Sequence, residues 1–475
     1  MNVSDPKLSG APEMTIQGNE KDAHLKDMRA RLDAVSPYFC LAKWFQVTVH
    51  LQNGHTHSCH HPGTHIVPVE ELLRSPSALH NTHFKKLRRR EMLTGVRPAE
   101  CDYCWRVEEA SPDNISDRLV KSSDPWAEPS FEAARTLPWD EDVVPSYVEV
   151  SFSNVCNFKC SYCGPWASSK WTEEVTQHGP YPTSGRFNNL EHLLAKKQMP
   201  IRERDDNPYV DAFWAWWPEL YPKLKVFRIT GGEPLLSKHT NRVLTWILDH
   251  PHPELQLSVN SNLGAPDTQY SEFLELIGKI VERGCIKKFE FYTSVDAYGS
   301  RAEYIRSGLD YQKWLSNVRR FFKVVPDQHL VIMCAFNALS VTSFLRLYED
   351  VLELRRSNPD TRAGADAGGR IRLDLPYLRY PEHQSVMVLP SVYERRIDDI
   401  IANVEAVPEA LEMEIVQLSR IRSLMRAPWP EPKLSIARSD FFRFFAEHDR
   451  RRGTNFLANF PEMAAFWRTC SKLAS

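Results

Sequence analysis

The sequence has little excess charge of either sign, few cysteines and few glycines for its length. Its 475 residues include 59 basic and 61 acidic side chains, a formal net charge of −2, which excludes a broadly cationic nucleic-acid-binding chain. Ten cysteines in a chain of this length are far below the density of a disulfide scaffold. Glycine (19) is outnumbered by proline (33), which excludes a collagen-like fibre.

Long hydrophobic runs are also absent. A membrane-spanning helix needs about 20 apolar residues, and the nearest run, Leu330 to Phe336, has the length of a strand. The amino-terminal segment is polar and charged, without the apolar core of a signal peptide. We therefore expect a cytoplasmic protein without a membrane partner. In that reducing compartment, clustered cysteines bind metal more often than each other.

The most informative feature is a group of three cysteines. Cys156, Cys160 and Cys163 have the spacing C-x3-C-x2-C. Three thiolates on one short loop can hold three irons of a cubane cluster and leave the fourth iron open, whereas an electron-transfer cluster normally has four thiolates. Structural zinc also needs four ligands and fits this spacing poorly, because no fourth ligand follows nearby. Zinc and free thiols remain the alternatives.

Two predicted strands flank this cysteine loop. Residues 147–153 are rich in β-forming side chains and lead directly into the loop. Residues 225–230 form a second candidate strand, which ends in Gly231-Gly232-Glu233-Pro234. Two glycines allow backbone to approach a ligand closely, and the carboxylate that follows could hold an ammonium group. A tight turn before a helix is the simpler explanation of this motif when it stands alone.

Taken together, the cysteine loop and the Gly-Gly-Glu-Pro motif resemble the radical S-adenosylmethionine (SAM) superfamily, from about Tyr147 to Leu375. The resemblance implies a [4Fe-4S] cluster on the three cysteines, with SAM bound at the open iron. It also implies that Glu233, with the backbone of Gly231 and Gly232, receives the methionine ammonium group. Tyr162, the aromatic residue before the third cysteine, would lie beside the adenine. An external electron donor of the flavodoxin or ferredoxin type is implied as well.

Further SAM contacts are predicted at the ends of later strands. The segment FYTSVDAYGSRAEYIRSG resembles a strand end and helix of peptide- and sugar-modifying radical enzymes. By that resemblance, Ser294 contacts the ribose or the methionine carboxylate, and Arg306 binds the carboxylate. The alternative is that Asp296 caps the next helix and Arg306 is a surface cation. Asn260 and Asn262 follow another strand, where a ribose contact competes with a turn role; we select Asn260.

Four more cysteines precede this region. Cys40, Cys59, Cys101 and Cys104 have the spacing C-x18-C-x41-C-x2-C, which suits one complete [4Fe-4S] cluster or one zinc ion. In a chain that already carries one cluster, we favour an auxiliary [4Fe-4S] cluster. The segment resembles the twitch domain, which is related to the SPASM domain, although in better-known members that module follows the barrel.

Several other amino-terminal patterns have weaker interpretations. Five histidines surround Cys59, at positions 55, 57, 60, 61 and 65; we expect them to bond the surrounding backbone, with metal or substrate contact as the alternative. Residues 44–51 alternate and end at Asn53-Gly54, a hairpin signal. The basic run of residues 85–90 is expected to be a solvated helix face.

Strands and helices alternate from residue 147 onward. The candidate strands are 147–153, 225–230, 255–260, 289–295, 330–336 and 370–375. This alternation predicts an α/β fold with a parallel sheet, and with the resemblance a partial (β/α)6 TIM-type barrel. The expected division is a flexible leader (1–33), a twitch-like iron-sulfur module (34–110), a linker (111–144), the radical SAM partial barrel (145–380) and a helical carboxy-terminal region (381–475).

By this resemblance the protein is a radical SAM enzyme that forms a 5′-deoxyadenosyl radical from SAM. The radical would abstract hydrogen from a C–H bond, which we assign to a peptide or protein substrate. The auxiliary cluster would assist the oxidation. Two alternatives remain: the same chemistry on a small molecule or nucleotide, and a zinc-stabilised adaptor without catalysis. Nucleic acid is not an expected partner, given the net charge of −2.

Overall fold

The computed structural model describes residues 18–111, 113–360, 369–427 and 429–475. All six predicted strands form, within a few residues of their expected limits. The strands are β1 (Gln46–His50), β2 (His55–His57), β3 (His65–Ile66), β4 (Tyr147–Ser151), β5 (Lys159–Cys160), β6 (Val226–Thr230), β7 (His252–Ser261), β8 (Ile286–Ser294), β9 (Arg306–Ser307), β10 (His329–Met333) and β11 (Ile371–Asp374).

The helices fall into three groups according to their position in the chain. The amino-terminal helices are α1 (Gly18–Val35), α2 (Ala42–Phe45), α3 (Val69–Arg74), α4 (His83–Leu93), α5 (Asp102–Ala110), α6 (Asp117–Ser122) and α7 (Phe131–Thr136). The central helices are α8 (Ser169–His178), α9 (Leu190–Ala195), α10 (Pro208–Leu220), α11 (Lys238–Asp249), α12 (Asp267–Glu282), α13 (Ser300–Ile305), α14 (Tyr311–Val324) and α15 (Phe344–Ser357). The carboxy-terminal helices are α16 (Val392–Glu405), α17 (Glu412–Met425), α18 (Glu431–Arg452), α19 (Phe456–Asn459) and α20 (Ala464–Ala474).

The main sheet has nine strands, in the order β11-β10-β8-β7-β6-β4-β1-β2-β3. Neighbours from β11 to β1 are parallel, and β2 and β3 are added antiparallel. The predicted α/β class and parallel sheet are therefore confirmed, and this order is consistent with a TIM-type fold. A separate two-stranded ladder joins β5 to β9.

Strand β1 belongs to the parallel sheet as well as to its hairpin. The predicted hairpin forms, because β1 pairs with β2 around the turn at Gly54, whose φ is +72°. In addition, β1 pairs in parallel with β4 from Gln46 opposite Tyr147 to His50 opposite Ser151. An alternating pattern reveals a strand but not its second partner. The amino-terminal segment is thus continuous with the main sheet.

Two predicted segment limits differ from the structure. Helix α1 crosses the expected boundary at residue 33, and its Leu25, Met28 and Leu32 are buried in the amino-terminal core. Residues 1–17 of the predicted leader lie outside the described residues. The expected linker contains α6 and α7, and its Trp126 and Phe131 join the same core. The buried apolar residues of these segments are too sparse in sequence to be recognised individually.

The parallel sheet has an outer face against helices and an inner face. Val47, Val148, Phe227 and Leu257 belong to the large core on the outer face. Because side chains alternate along a strand, their neighbours lie on the inner face. The inner-face residues include Gln46, Thr48, Glu149, Ser151, Arg228, Asn260, Glu290, Tyr292, Met333, Arg372 and Asp374. This second set is mostly polar, which is unusual for a buried sheet surface.

Candidate functional site

The three-cysteine loop follows the carboxyl end of β4, as the sequence predicts. The loop is held in place by the short ladder between β5 and β9, in which Cys160 pairs with Arg306. The Ser161 amide also donates to the carbonyl of Ile305 at 2.7 Å. The Trp171 indole N–H on α8 donates to the carbonyl of Cys160 at 2.9 Å. The loop is therefore fixed by residues of three different elements.

Hydrogen-bond donors are directed at two of the cysteine sulfurs. The Sγ of Cys156 accepts from the amide of Phe158 at 3.4 Å and from the side-chain amide of Asn262 at 3.8 Å. The Sγ of Cys160 accepts from the guanidinium of Arg306 at 3.6 Å. Donors to ligating sulfurs stabilise thiolate charge and adjust cluster potentials. Burial raises the pKa of the Cys163 thiol to about 12. Binding of a metal by Cys163 would therefore release the thiol proton.

The Gly231-Gly232 pair packs directly against this loop. A Cβ on Gly232 would lie 2.3 Å from the carbonyl oxygen of Val155, and one on Gly231 would lie 2.6 Å from the Oγ of Ser151. Gly231 also has a φ of +120°. The amides of Gly232 and Glu233 donate to the carbonyls of Ser153 and Val155. No residue with a side chain fits here without moving the cysteine loop.

Glu233 is buried next to the loop. Its carboxylate accepts hydrogen bonds from the amides of Leu235 at 3.0 Å and Asn262 at 2.7 Å. Only 2% of the residue is exposed, and this burial raises the pKa of Glu233 to about 7 although the hydrogen bonds oppose the shift. A carboxylate with so few protein cations around it is suited to bind an ammonium group.

Asn262, rather than the selected Asn260, contacts the cysteine loop. Besides the sulfur of Cys156, the Asn262 side chain donates to the Oδ1 of Asn157 at 2.9 Å. Asn260 instead lies on the inner face, where its Oδ1 accepts from the Nε of Arg228 at 3.1 Å. Both asparagines were visible in the sequence, but only the spatial position of the loop distinguishes them.

Tyr162, Asp296 and Arg306 form one buried cluster. The Tyr162 hydroxyl donates to Asp296 at 2.8 Å, and Arg306 donates to both the Tyr162 hydroxyl (2.5 Å) and the Asp296 carboxylate (2.8 Å). Asp296 also accepts from the amide of Ala335 at 2.9 Å. The residue at the start of α13 is Gly299, without a side-chain cap. The alternative roles of Asp296 as a helix cap and Arg306 as a surface cation are therefore wrong. Ser294 is the last residue of β8, on the same face as Tyr292.

The four amino-terminal cysteines line one cavity. Its lining comprises Cys40, Ala42, Lys43, Ser58, Cys59, His61, Pro62, Met92, Cys101, Cys104, Trp105 and Arg118. Within the described ranges, no three His, Cys, Asp or Glu side chains converge as ligands of one metal ion. The cysteines therefore surround a space instead of meeting at a point, although they come from positions up to 64 residues apart.

Buried cations accompany these cysteines. The side chain of Lys43 is 2% exposed and pairs with Glu100. Arg118 is 1% exposed and pairs with Glu108 at 2.7 Å and Asp33 at 3.0 Å. Burial raises the pKa of the Cys101 thiol to about 12, with Lys43 acting in the opposite direction. Cationic groups of this kind can offset the negative charge of a thiolate-ligated cluster.

The two cysteine sets lie at opposite ends of the parallel strands. Cys156 follows the carboxyl end of β4, whereas Cys40 precedes α2 and the amino end of β1. Strand β2 runs antiparallel, with His57 opposite Thr48, so Cys59 also lies toward the amino ends. A five-residue strand is about 15 Å long. The inner face of the sheet thus extends between the two sets.

The histidines around Cys59 mostly bond neighbouring groups. His55 and His57 contact the carbonyls of Lys197 and Cys59, and His61 contacts Asp117 at 2.6 Å. His65 contacts the Thr82 hydroxyl at 2.9 Å. His60 differs, because its Nε2 lies 4.0 Å from the Glu149 carboxylate on the inner face.

Other sequence interpretations have mixed outcomes. Helix α10 carries a cluster of aromatic residues, of which Phe213, Trp216 and Trp217 are each at most 2% exposed. The expectation of a solvated basic face on α4 is wrong for Lys85 and Arg89, which are buried and bond His80. Amphipathic periodicity cannot show that a long cationic side chain turns inward.

The isolated cysteines Cys285, Cys334 and Cys470 are buried, which is the state that their residue type alone predicts. Cys334 packs in the outer-face core with Ile332. Cys334 therefore does not face the inner side of the sheet. No helix in the described ranges is long and apolar enough to cross a membrane.

Comparison with known proteins bears on the central region. Residues 150–351 match the sequence model of the Radical SAM superfamily, so a domain of this superfamily is present in the central region. A stretch of 121 residues is 25% identical to a GTP 3′,8-cyclase of Sulfurimonas denitrificans, covering 26% of this chain and 28% of that protein. The alignment thus spans little more than a quarter of the curated relative. Members of this superfamily use a [4Fe-4S] cluster and SAM, and they generally need an electron donor.

Proposed function

We propose that the protein is a radical SAM enzyme that abstracts hydrogen from a C–H bond of a peptide or protein substrate. The observation that carries the radical SAM part of this proposal is the contact between two motifs: the Gly231-Gly232 backbone lies against the loop that carries Cys156. A shared ligand site is the reason we assign for this close contact between the two motifs. Their contact explains why a cysteine loop and a Gly-Gly-Glu segment occur on neighbouring strands β4 and β6.

The residues present fit a [4Fe-4S] cluster on Cys156, Cys160 and Cys163. Sulfur-directed donors from Phe158 and Arg306 would stabilise the thiolates. When bound and reduced, the cluster would supply the one electron that breaks the S–C5′ bond of SAM, giving methionine and a 5′-deoxyadenosyl radical. The protein's own part is to bind SAM, orient it and exclude competing hydrogen donors.

The SAM-binding roles assigned from resemblance remain proposals, and the side-chain contacts refine them. Glu233, with the Gly231-Gly232 backbone, would receive the methionine ammonium, because its carboxylate is buried beside the cysteine loop. Arg306 would bind the methionine carboxylate of SAM. Its Nε and Nη2 already donate to Asp296 and Tyr162. The Nη1, which lies beside the sulfur of Cys160, is therefore the nitrogen positioned for the carboxylate. Tyr162 would lie by the adenine, and Ser294 and Asn260 by the ribose.

An auxiliary [4Fe-4S] cluster on Cys40, Cys59, Cys101 and Cys104 is part of the proposal. Their common cavity supports it, as do the buried cations Lys43 and Arg118. Zinc is the alternative occupant, because four cysteines can ligate either metal. With four cysteine ligands, the auxiliary cluster would have no open iron. We therefore propose that this cluster accepts an electron from an oxidised substrate and does not bind the substrate directly.

A nucleotide substrate is the second candidate. It is favoured by the similarity to a protein named GTP 3′,8-cyclase, although that similarity covers only a quarter of the chain. In either case we propose a cytoplasmic enzyme served by an external donor of the flavodoxin or ferredoxin type.

Anaerobic reconstitution tests the proposed function. We expect about eight irons and eight sulfides per chain, in line with two cubane clusters, brown absorbance, and reductive cleavage of SAM to 5′-deoxyadenosine. The triple change of Cys156, Cys160 and Cys163 to Ala should remove about half of the iron and all SAM cleavage. A colourless protein with stoichiometric zinc and no SAM cleavage would instead establish the adaptor alternative.

A further inference from the structure

Lys43 is a buried lysine that lines the four-cysteine cavity. It lies on α2, shortly after Cys40, and its amide donates to the Cys40 carbonyl at 3.1 Å. Its side chain is 2% exposed, and its ammonium group pairs with Glu100, the residue directly before Cys101. The ion pair therefore joins the turn that carries Cys40 to the segment that carries Cys101.

The ammonium group of Lys43 can donate more hydrogen bonds than the protein accepts from it. A lysine ammonium has three N–H donors, and among the residues that the structure describes, Glu100 alone accepts from it. The other donors lie in a buried position at the wall of the cavity. Buried donors without acceptors are unfavourable, so these N–H groups are suited to bond an occupant of the cavity.

The Lys43 ammonium and the Cys101 thiol influence each other. Burial raises the pKa of Cys101 to about 12, and Lys43 is the largest influence in the opposite direction. Burial also acts to lower the pKa of Lys43, but Cys101 and then Glu100 more than offset this effect, so the pKa of Lys43 lies above its ordinary value. Lys43 is therefore a cation in the folded protein, and its charge acts on the sulfur of Cys101.

The other permanent cation of the cavity wall is already neutralised. Arg118 pairs with the carboxylates of Glu108 at 2.7 Å and Asp33 at 3.0 Å, so two carboxylates face one guanidinium group. Lys43 faces a single carboxylate, that of Glu100. Glu100 is not one of the described residues that line the cavity. The positive end of the Lys43–Glu100 pair is thus the end at the cavity.

We infer that Lys43 raises the reduction potential of the auxiliary cluster by donating N–H hydrogen bonds to its sulfurs, which makes that cluster an electron acceptor. The inference rests on the proposed function and deepens it by assigning a residue that sets the direction of electron flow. The substrate radical left by hydrogen abstraction would lose one electron to the cluster and one proton to solvent. Uptake of the electron makes the cluster and its thiolates more negative, and a cation beside the sulfurs stabilises that reduced form more than the oxidised form.

A purely structural role is the competing explanation, because the Lys43–Glu100 pair also joins two cysteine segments. The two partners of the pair distinguish the roles. Loss of a structural link should change the cluster in the same direction whichever partner is replaced. An electrostatic role requires opposite directions: Lys43→Met removes a positive charge and should lower the potential, whereas Glu100→Gln removes a negative charge and should raise it.

A redox titration followed by electron paramagnetic resonance measures this potential in the full-length chain. Cys156, Cys160 and Cys163 are changed to Ala in the parent protein, so that the auxiliary cluster is the one reducible centre. We expect Lys43→Met to lower the equilibrium constant for one-electron reduction by about tenfold or more, a shift of about 59 mV to lower potential. Glu100→Gln should shift the potential upward. Lys43→Arg keeps the charge and the N–H donors, and it should keep the potential of the parent.

Lys86→Met is the matched control and should leave the potential unchanged. Lys86 also pairs with a carboxylate, that of Asp142 at 2.5 Å, but it is not among the described residues that line the cavity. Equal potentials in Lys43→Met and the parent, or shifts of the same sign in Lys43→Met and Glu100→Gln, would overturn the inference and leave the proposed function intact.

Iron content per chain, measured for each variant, covers two remaining outcomes. If Lys43→Met fails to hold the cluster, Glu100→Gln decides: an upward shift supports the inference, and no shift or a downward shift overturns it. A parent protein that binds zinc in place of a cluster would overturn the auxiliary cluster of the proposed function together with the role of Lys43.

Discussion

Arg452 donates a hydrogen bond of 2.8 Å to the carbonyl of Lys159, which lies inside the three-cysteine loop 293 residues earlier in the chain. Arg452 is the last residue of α18, and its side chain is 3% exposed. The same guanidinium contacts both oxygens of the buried Glu174 at 3.2 Å. Lys159 and Tyr181 also bond Glu174. The carboxy-terminal helices thus hold the cysteine loop from outside the matched domain.

We predict that Arg452→Met loosens the cysteine loop. Removing one partner of a buried ion pair leaves Glu174 less compensated, which should cost about 2–3 kcal/mol of unfolding free energy. The metal-free protein should also alkylate faster at Cys160, as measured by mass spectrometry after iodoacetamide treatment. Arg450→Met is the control, because Arg450 is 60% exposed and pairs only at the surface with Glu447. Equal alkylation rates in both variants would refute the role of Arg452.

A second prediction concerns pH and Glu233. Its pKa is raised from 4.5 to about 7 in the folded protein, so between these values the folded state binds a proton that the unfolded state releases. The contribution to stability is therefore full below pH 4.5 and is lost as the pH rises through about 7, by about 3 kcal/mol in total.

Glu233→Gln should remove this dependence. Urea unfolding of the metal-free protein between pH 5 and 8 should show a flatter decline in unfolding free energy for the variant than for the wild type. Glu173→Gln, an exposed glutamate whose side chain is 63% accessible, should parallel the wild type. Parallel profiles for all three proteins would show that Glu233 does not titrate in this range.

The third prediction tests the contact between the two motifs. In Gly232→Ala, the new methyl group would lie 2.3 Å from the carbonyl oxygen of Val155, so the cysteine loop must move. Overpacking of this kind costs about 1–3 kcal/mol, and iron bound at the three-cysteine site should fall. Gly185→Ala is the control, since a Cβ there meets open space. Full iron loading and SAM cleavage in Gly232→Ala would contradict the importance of the contact.

The fourth prediction separates catalytic from structural roles of the amino-terminal cysteines. The double change of Cys101 and Cys104 to Ala should lower bound iron by about half, from eight to four per chain. Product should disappear while uncoupled formation of 5′-deoxyadenosine continues, because the three-cysteine loop is at the opposite end of the strands. Loss of all SAM cleavage would instead indicate a structural role for the auxiliary site.

The sequence by itself determined the features that depend on local pattern. The spacing of Cys156, Cys160 and Cys163 and the Gly231-Gly232-Glu233 motif carried the resemblance to the radical SAM superfamily, whose sequence model matches residues 150–351, because ligand spacing and glycine tolerance are properties of short segments. The six central strands were predicted correctly since their apolar runs and intervening helices follow simple periodicities. The buried state of Cys285, Cys334 and Cys470 followed from residue type alone.

Only the tertiary structure decided which distant residues meet. It selected Asn262 over Asn260 at the cysteine loop, made β1 a parallel neighbour of β4, and brought Arg452 to Lys159. It also brought four cysteines from Cys40 to Cys104 around one cavity. Such contacts arise from strand register and helix packing, which sum many weak interactions over the whole chain. No short segment of sequence contains that information.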